Sequence, residues 1–481
     1  MKNDLRTLQQ LDDRSAGHLL ADSTHANANV SLIQIHDQRS APGGVVRFKS
    51  ILAQVQNRLH LWPMFRKRLQ RVPMGIDRPY WVDDDLFDLE YHVRHIALPK
   101  PGDWRQFCIQ ASRIHARALD MDRPPWELYV IEGLDSFLDL PEGSFAVLIK
   151  THLAALDLSA LASLTEALCD PQPDPGPPPP PPSWFADSAP SPLALLQRSL
   201  WRSALTPWQL PWSVERVLPI AKALTSGVAE VHPITRFNSV VSPHRVFETR
   251  RFTVEDFERI AAAVPGATVE DAVISVCGGA LRQYLEQELD ELPPQGSLNA
   301  MVWHPGQEGL ETRNERADKS SWRPRTMGTD VADPMERLAA VTSARIQYAE
   351  IVQQAIRPAF IAGQMRGEVS THCIVRFLPA PEKTQYLCGA HMSYTSAILP
   401  IRDGLGLSFA VTRYENLVVI SPTSCRELIP DPERFAQCLR DSFQASLEQA
   451  IKTAEKVLSM PHPKPAKRAA AAAAAATAAK G

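Results

Sequence analysis

The chain has 481 residues, with 51 Lys+Arg against 54 Asp+Glu and 44% hydrophobic residues. At about 150 residues per domain, this length predicts two or three folded domains, and the ordinary balance of apolar and charged residues excludes general disorder. A net charge of -3 provides no overall positive field, so we expect no nucleic-acid partner.

Cysteine usage and hydropathy indicate a protein of a reducing compartment. The seven cysteines are an odd number and include no CxxC pair, which argues against a disulfide framework and against a zinc ribbon. The N-terminus shows no apolar segment typical of a secretory signal. No apolar run approaches the ~20 residues that a membrane-spanning helix needs. We therefore expect a cytoplasmic protein without a metal site.

The first half, predicted as a domain over residues 1–170, mixes strands and helices. Trp126–Ile131 and Phe145–Lys150 are short runs rich in β-branched and aromatic residues, separated by a glycine-containing turn. This pattern is typical of two neighbouring strands.

A proline-rich segment follows. Of the 41 prolines, 11 lie between Pro171 and Pro192, including the run Pro177–Pro182. Six consecutive prolines adopt polyproline II and span about 19 Å. The segment is either a stiff connector between two folded halves or a ligand for an aromatic groove. We assign 171–230 as a linker region.

The second part of this linker, residues 193–228, is rich in tryptophan and arginine. Trp201, Trp208 and Trp212 alternate with basic residues, and Glu215 is the one acidic residue. Such a composition suits helices that lie in a membrane interface. It suits equally a pair of helices that pack across the two halves.

The second half, predicted over residues 231–456, also mixes helix and sheet. Thr253 and Thr268 each begin a helix with the pattern of a capping box. Leu298–Trp303 reads as a strand, and Leu407–Thr412 with Leu417–Ser421 reads as a hairpin. Strands and helices do not alternate regularly enough for a doubly wound parallel sheet. We therefore predict an α+β fold of two layered domains with mixed sheets and flanking helices.

The C-terminal region contains a last helix and a tail. Asp431-Pro432 begins an amphipathic helix in which apolar residues repeat every four positions. Residues 457–481 are basic and alanine-rich, and they contain too few apolar side chains to form a core. We predict a solvated, disordered tail, with contact to an anionic lipid surface as the alternative.

The residues with the clearest chemical character follow the second strand, in the segment Lys150-Thr-His-Leu-Ala-Ala-Leu-Asp157. This segment resembles the motif of the bacterial wax ester synthase/diacylglycerol acyltransferases, within the coenzyme A-dependent acyltransferase superfamily. The resemblance extends from about Leu8 to about Ile451. It is carried by Phe65–Arg68, Phe87–Val93, Leu119–Leu134, Ser242–Arg245, Tyr386–Ala390 and Ile401–Leu407.

The resemblance implies two chloramphenicol-acetyltransferase-like domains with an active-site channel between them. It implies transfer of an acyl group from acyl-CoA, as substrate, to diacylglycerol or a long-chain alcohol, giving triacylglycerol or wax ester without a cofactor. It also implies a position at the inner membrane face or at lipid inclusions. The oligomeric state is left open.

In the family motif, HHxxxDG, the second histidine takes the proton of the acceptor hydroxyl. In this sequence the first histidine is His152, the base position is Leu153, the aspartate is Asp157 and the glycine position is Leu158. Leucine cannot accept a proton, and loss of a general base costs about 10²–10⁴-fold in rate. The resemblance therefore implies an acyltransferase whose catalysis is impaired.

His152 is the first candidate for a replacement base, with a channel water as the other and Asp157 holding the strand end. In an extended strand neighbouring side chains point to opposite faces, so His152 should face away from the base position unless a local bulge re-aims it. The alternative, which we prefer, is that His152 is a buried, hydrogen-bonded histidine. The alternative function is a non-catalytic acyl-CoA- or lipid-binding paralogue, associated with lipid granules or with an active relative.

Other family landmarks are altered too. The motif that usually reads NVPGP corresponds to Phe377-Leu-Pro-Ala-Pro381, and an Asn-Asp pair corresponds to Glu270-Asp271. The resemblance implies substrate-binding roles for Asp271, Arg245, Pro379 and Pro381. His18 and Asp22 match HxxxD, but a spacing with two fixed residues arises easily by chance, and we assign them no role.

Overall fold

A computed structural model describes residues 8–134, 140–141, 143–176, 180–205, 235–288, 296–305, 322–354 and 371–459. The helices are α1 (Asp13–Leu20), α2 (Phe48–Arg58), α3 (Leu89–His92), α4 (Trp104–Ala116), α5 (Leu161–Leu168), α6 (Pro192–Leu205), α7 (Val254–Ala262), α8 (Val269–Gln287), α9 (Pro334–Gln354) and α10 (Pro432–Ser459). The strands are β1 (Gln9–Gln10), β2 (Asn29–Asp37), β3 (Lys67–Gln70), β4 (Tyr80–Asp83), β5 (Val93–Ala97), β6 (Trp126–Glu132), β7 (Phe145–His152), β8 (Arg245–Phe247), β9 (Arg250–Thr253), β10 (Asn299–Trp303), β11 (Trp322–Thr326), β12 (Cys373–Leu378), β13 (Tyr386–Leu387), β14 (Ala390–Ile398), β15 (Ser408–Tyr414) and β16 (Leu417–Cys425).

The sheet of the first half is completed by strands from the second half. Its order is β13-β14-β2-β7-β6-β5, in which only the β5–β6 pair is parallel. Strand β14 pairs with β2 from His391↔Asp37 to Ile398↔Ser31, with an irregularity between Met392 and Tyr394. The two halves are therefore joined by backbone hydrogen bonds as well as by side-chain packing.

The sheet of the second half has the order β11-β10-β12-β15-β16-β8, and β9 also pairs with β16. Strands β10, β12 and β15 are parallel neighbours, whereas the remaining pairs are antiparallel. Helices α7, α8, α9 and α10 contribute buried apolar residues to one core with this sheet. A small third sheet, β1-β4-β3, lies in the first half.

The mixed sheets and flanking helices confirm the predicted α+β fold. The predicted strands correspond to β6, β7 and β10, and the predicted hairpin is β15 paired with β16. Thr253 and Thr268 accept the expected capping hydrogen bonds, and Thr268 forms a complete capping box with Asp271. Local sequence signals thus located these elements within a few residues.

One hydrophobic core contains residues from both halves. It combines side chains of β2, β6 and β7 with Trp303, Leu378 and Ala410 of the second sheet. A separate cluster lies on the opposite face of the first sheet, under α4, and contains Phe107, Leu148 and Tyr394. The first sheet is therefore covered on both faces, and the end of β7 reaches the core that the two halves share.

The connector has no helix or strand in its described parts, 171–176 and 180–191. It contacts the first half, where Arg66 lies 4.6 Å from the centre of the Trp184 ring. Most of the tryptophan-rich segment and the tail fall in 206–234 and 460–481, outside the described residues. The predicted domain boundaries stay predictions. Among the described helices, none is long and apolar enough to cross a membrane.

Candidate functional site

The candidate site lies where β7 ends. Along this strand, Val147 and Ile149 point into the core shared by the two halves, whereas Ala146 and Leu148 point toward α4. This alternation continues to His152, which is opposite Asn29 of β2. A turn begins at Leu153, whose backbone N–H donates to the carbonyl of Ala28 over 2.9 Å.

Both ring nitrogens of His152 are occupied. Its Nδ1 accepts a hydrogen bond from the backbone N–H of Ala154 over 3.0 Å, and its Nε2 lies 3.0 Å from Oδ2 of Asp22. Because the Ala154 N–H can only donate, Nδ1 has no proton and Nε2 donates to Asp22. The side chain is 1% exposed. In this arrangement His152 offers no free lone pair, which argues against its prediction as a displaced base.

Leu153 and Leu158 lie in the apolar core shared by the two halves. Leu153 is 7% exposed and Leu158 1% exposed, and the same core includes Trp303 and Leu378 from the second sheet. Leu158 begins a short 3-10 turn, so its backbone is right-handed and does not require glycine. The two replaced motif positions therefore face a hydrophobic environment with no proton acceptor of their own.

Asp157 is held by helix α1. Its Oδ1 accepts hydrogen bonds from the backbone and hydroxyl of Ser159, and its Oδ2 pairs with Arg14 over 2.5 Å. The two side chains of the ion pair are each 41% exposed. These contacts cap the 3-10 turn and attach α1 to the motif, so Asp157 has a structural role here.

Helix α1 also brings His18 close to the motif, although the sequence analysis assigned His18 and Asp22 no role. Arg14 contacts Asp157, and Asp22, just after the helix, contacts His152. His18 lies one helical turn beyond Arg14 on the same face of α1. Burial and the charges of Arg14 and Arg376, with a contribution from His152, lower the pKa of His18 to about 4. The imidazole is thus neutral at pH 7. The HxxxD spacing was the signal that could have identified this helix.

Asp271 forms a buried ion-pair centre in the second half. The carboxylate is fully buried, accepts from the backbone N–H of Thr268 over 3.0 Å, and pairs with Arg325 and with Nε of Arg345 at 2.9 Å. Arg345 also donates to the carbonyl of Gly266 over 2.6 Å. These partners use its acceptor capacity, so the geometry supports a structural role rather than the substrate-binding role that the family resemblance implied.

The replaced residues of the second half lie around one histidine. His304 stacks on Phe377 with ring centres 4.8 Å apart, and its Nδ1 is 3.3 Å from Oε1 of Glu270. Phe377 points to the helix-covered core of the second half, whereas its neighbour Leu378 points to the core shared by both halves. Glu270 and Phe377, which replace residues of two family motifs, are therefore both in contact with His304.

The remaining predicted binding residues do not converge on the end of β7. Arg245 is 9% exposed and donates to the backbone carbonyls of Ser242 and His25, so it ties the two halves together. Pro379 and Pro381 follow β12, the first half-buried and the second buried. No group of three or more potential metal ligands occurs among the described residues.

Two family models match the chain. Residues 11–273, more than half of the chain, match the wax ester synthase/diacylglycerol acyltransferase catalytic domain. Residues 325–446 match the C-terminal domain of the same family. The first match includes the complete β7 site, and the second includes Arg325, Arg345 and Phe377.

Curated relatives cover most of the chain. A Mycobacterium tuberculosis protein with a provisional diacylglycerol O-acyltransferase name is 24% identical over 473 residues, covering 92% of this chain and 91% of the relative. A second protein of that organism, named as a probable diacylglycerol O-acyltransferase, is 28% identical over 418 residues, covering 81% and 88%.

Solved structures share the fold. The wax ester synthase/diacylglycerol acyltransferase from Marinobacter aquaeolei superposes with a TM-score of 0.66 at 22% identity, covering 92% of this chain and 99% of that one. The starter condensation domain of rhizomide synthetase, in complex with C8-CoA and Leu-SNAC, gives a TM-score of 0.52 at 12% identity, covering 93% and 95%.

Proposed function

The chain belongs to the wax ester synthase/diacylglycerol acyltransferase family, and on this premise we propose that it binds acyl-CoA but transfers the acyl group poorly, because Leu153 occupies the position of the general base. The acceptor would be diacylglycerol or a long-chain alcohol, as in the family. The observation that carries the proposal is the environment of Leu153, which lies in an apolar core with no imidazole at that position.

The arrangement around His152 supports the same proposal. A general base needs a free lone pair within reach of the hydroxyl whose proton it takes. His152 uses Nδ1 to accept from Ala154 and Nε2 to contact Asp22. Transfer through His152 would require the Ala154 contact to break so that the lone pair of Nδ1 becomes free, which adds the free energy of that hydrogen bond to the barrier.

Binding of the acyl donor is retained in this proposal. The family match extends over both halves, and the core that they share remains apolar at Leu153, Leu158 and Leu378. A solved protein of the same fold is in complex with C8-CoA. An apolar environment suits an acyl chain, since burial of each methylene contributes about 0.8 kcal/mol.

The test is acyl transfer by the purified full chain with labelled palmitoyl-CoA, offered with diacylglycerol and separately with a long-chain alcohol. We expect weak or no product from the unaltered protein, together with saturable palmitoyl-CoA binding. Leu153→His should raise the transfer rate, by up to about 10²–10⁴-fold. Leu153→Asn is the matched control, because it adds polarity at the same position without adding a base.

Three results would contradict the proposal. Product from the unaltered protein at a rate that Leu153→His does not increase would show that another base works efficiently. Equal gains from Leu153→His and Leu153→Asn would exclude a base effect. Absence of palmitoyl-CoA binding would exclude acyl-CoA as the ligand.

We also propose that α6 contacts a lipid surface. One face of this helix packs on the first half through Leu195 and Ser199, which are at most 1% exposed. The other face exposes 63% of Leu193, 56% of Leu200 and 72% of Trp201. The helix has arginines and no acidic residue. Exposed apolar side chains beside positive charge favour an interface with anionic lipid.

Flotation of the full chain with vesicles of phosphatidylcholine and phosphatidylglycerol tests this contact. We expect the protein to float with the vesicles and the variant Leu200→Glu/Trp201→Glu to stay in the soluble fraction. Val240→Glu is the control, since Val240 is 72% exposed but lies outside α6. Equal flotation of the α6 variant and the unaltered protein would exclude α6 as the contact.

A further inference from the structure

A cavity of about 360 Å³ lies at a junction of the two halves, away from the β7 site. Its walls come from the start of α4, the segment joining β8 to β9, the start of β16 and the first turns of α10. Volumes of this order accommodate a small ligand or one end of a larger one. The cavity is therefore a candidate binding site that the family match does not explain.

Positive charge predominates in the lining. Four arginines line the cavity with two glutamates, which leaves an excess of two positive charges; the arginines are Arg105, Arg250, Arg251 and Arg440. Glu248 pairs with Arg250 over 2.8 Å, and Glu433 is 3.7 Å from Arg105. Arg440 forms no ion pair with any residue in the described part of the chain. The two glutamates are thus too few to balance the four guanidinium groups.

Arg105 and Arg250 keep hydrogen-bonding capacity at the cavity, and Arg251 is held by an aromatic ring. The Nε of Arg250 is buried and has no hydrogen-bond partner among the described residues. Arg105 is 75% exposed, and its pairing distance to Glu433 is longer than a hydrogen bond. The guanidinium of Arg251 lies 4.9 Å from the ring centre of Tyr394, which orients it. The planar guanidinium fork binds phosphate oxygens through two parallel hydrogen bonds.

We propose that this cavity binds a phosphate ester. A phosphate monoester, such as that on the nucleotide of coenzyme A, has a charge of about -1.5 to -2 at pH 7, which matches the excess of the lining, whereas the phosphodiester of a phospholipid headgroup balances part of it. The positive ends of α4 and α10 lie at the same cavity and favour an anion further. The phosphate has two possible sources, the nucleotide end of coenzyme A or the headgroup of an anionic phospholipid.

Helix α4 connects the cavity to the motif. Its N-terminal residues Trp104 and Arg105 line the cavity. At its other end, Arg117 O accepts from Nζ of Lys150 over 2.6 Å, two residues before His152. A helix of 13 residues is about 20 Å long, comparable to an extended phosphopantetheine arm. The assignment of the phosphate to coenzyme A rests on the proposed function, whereas its assignment to a phospholipid headgroup does not.

The test is binding to the full chain of three probes: adenosine 3′,5′-bisphosphate, phosphatidylglycerol vesicles and palmitoyl-CoA. The variant is Arg105→Gln/Arg440→Gln, which changes two exposed arginines of the cavity. Arg113→Gln is the matched control, because Arg113 is exposed on α4 but does not line the cavity. The probe that occupies the cavity should bind at least tenfold more weakly to the double variant than to the unaltered protein. The same probe should bind equally well to the Arg113→Gln control and to the unaltered protein.

A second variant separates loss of a site from loss of folding. Glu433→Gln removes a competing carboxylate, so it should strengthen binding of the same probe severalfold, which misfolding cannot do. Weakening of the bisphosphate and palmitoyl-CoA probes indicates the coenzyme A source. Weakening of vesicle binding alone indicates the headgroup source.

The outcomes also distinguish this proposal from the proposed function. If palmitoyl-CoA binds equally to the unaltered protein and the double variant, and neither other probe is affected, the cavity proposal is wrong and the proposed function stands. If the bisphosphate binds in an Arg-dependent manner but palmitoyl-CoA does not bind, the cavity proposal stands and the proposed function is wrong. No binding of any probe contradicts both.

Discussion

The polar motif residues that this chain retains differ from those it has replaced in what surrounds them. His152, Asp157 and Asp271 each have protein partners: Asp22, Arg14, and the pair Arg325 and Arg345. The replaced positions Leu153 and Leu158 lie instead in an apolar core. The retained residues form contacts that stabilise the fold. The replaced residues lie at the two motif positions where the family has a histidine and a glycine.

This difference is what the proposed function requires, namely a family member that keeps its fold with leucine at the position of the general base. Removing a charged group from a buried, fully paired site leaves its partners uncompensated and costs several kcal/mol. Leu153 and Leu158 lie among apolar side chains, so leucine at these two positions leaves no charged partner uncompensated. If the retained residues are structural, replacing one of them or one of its partners should lower stability, and the effect should be largest where the pair is most buried.

Asp271→Ala should destabilise the protein by about 3–5 kcal/mol, because it leaves Arg325 and Arg345 without their buried partner and removes half of a capping box. Urea denaturation measures the effect. Glu270→Ala is the control, since that side chain is 49% exposed and should cost much less. A similar cost for both variants would contradict the structural assignment of Asp271.

Asp22→Ala should destabilise by about 1–3 kcal/mol, because the buried His152 loses its acceptor and the backbone N–H of Ala28 loses a 2.8 Å hydrogen bond. The midpoint of chemical denaturation reports it. Asp85→Ala, at an exposed position, serves for comparison. Loss of acyl transfer or acyl-CoA binding without loss of stability would assign Asp22 to the chemistry instead.

Lowering the pH should reduce the free energy of unfolding through protonation of His18. Its pKa is about 4 in the folded protein and 6.5 when exposed, so the unfolded chain binds the proton first as the pH falls. The contribution of this group to the free energy of unfolding should therefore be constant well above pH 6.5 and should fall between pH 6.5 and 4, by up to about 3 kcal/mol.

Urea denaturation at pH 7 and pH 4.5 checks this effect, with His18→Gln losing less stability between the two than the unaltered protein. The comparison of the two proteins is needed because His36, also buried, has its pKa lowered to about 4 and contributes in the same direction to both. An identical loss in both proteins would show that the half-buried His18 does not have a lowered pKa in the folded protein.

Arg14→Ala should change stability least, by less than about 1 kcal/mol, because its pair with Asp157 is 41% exposed on both sides. It should also raise the pKa of His18, since the positive charge of Arg14 contributes to lowering it. NMR titration of the imidazole measures that change. An unaltered pKa would contradict the placement of the Arg14 guanidinium beside His18, one turn along the same helix.

Elements whose signals are local could be located from the amino-acid sequence. The capping patterns at Thr253 and Thr268, the hairpin of β15 and β16, and the apolar run of β7 all depend on neighbouring residues, and each was located within a few positions. The substitution of the base by Leu153 was also visible in the sequence, once the resemblance to the family supplied the motif.

Contacts between side chains that are distant along the chain became visible only in the folded structure. Arg14 contacts Asp157 across 143 residues, and Asp22 contacts His152 across 130, while β14 joins the sheet of the first half by pairing with β2. Four arginines from three separate parts of the chain line one cavity. Periodicity and capping describe what a residue does within its own element, and they contain no information about contacts between distant elements.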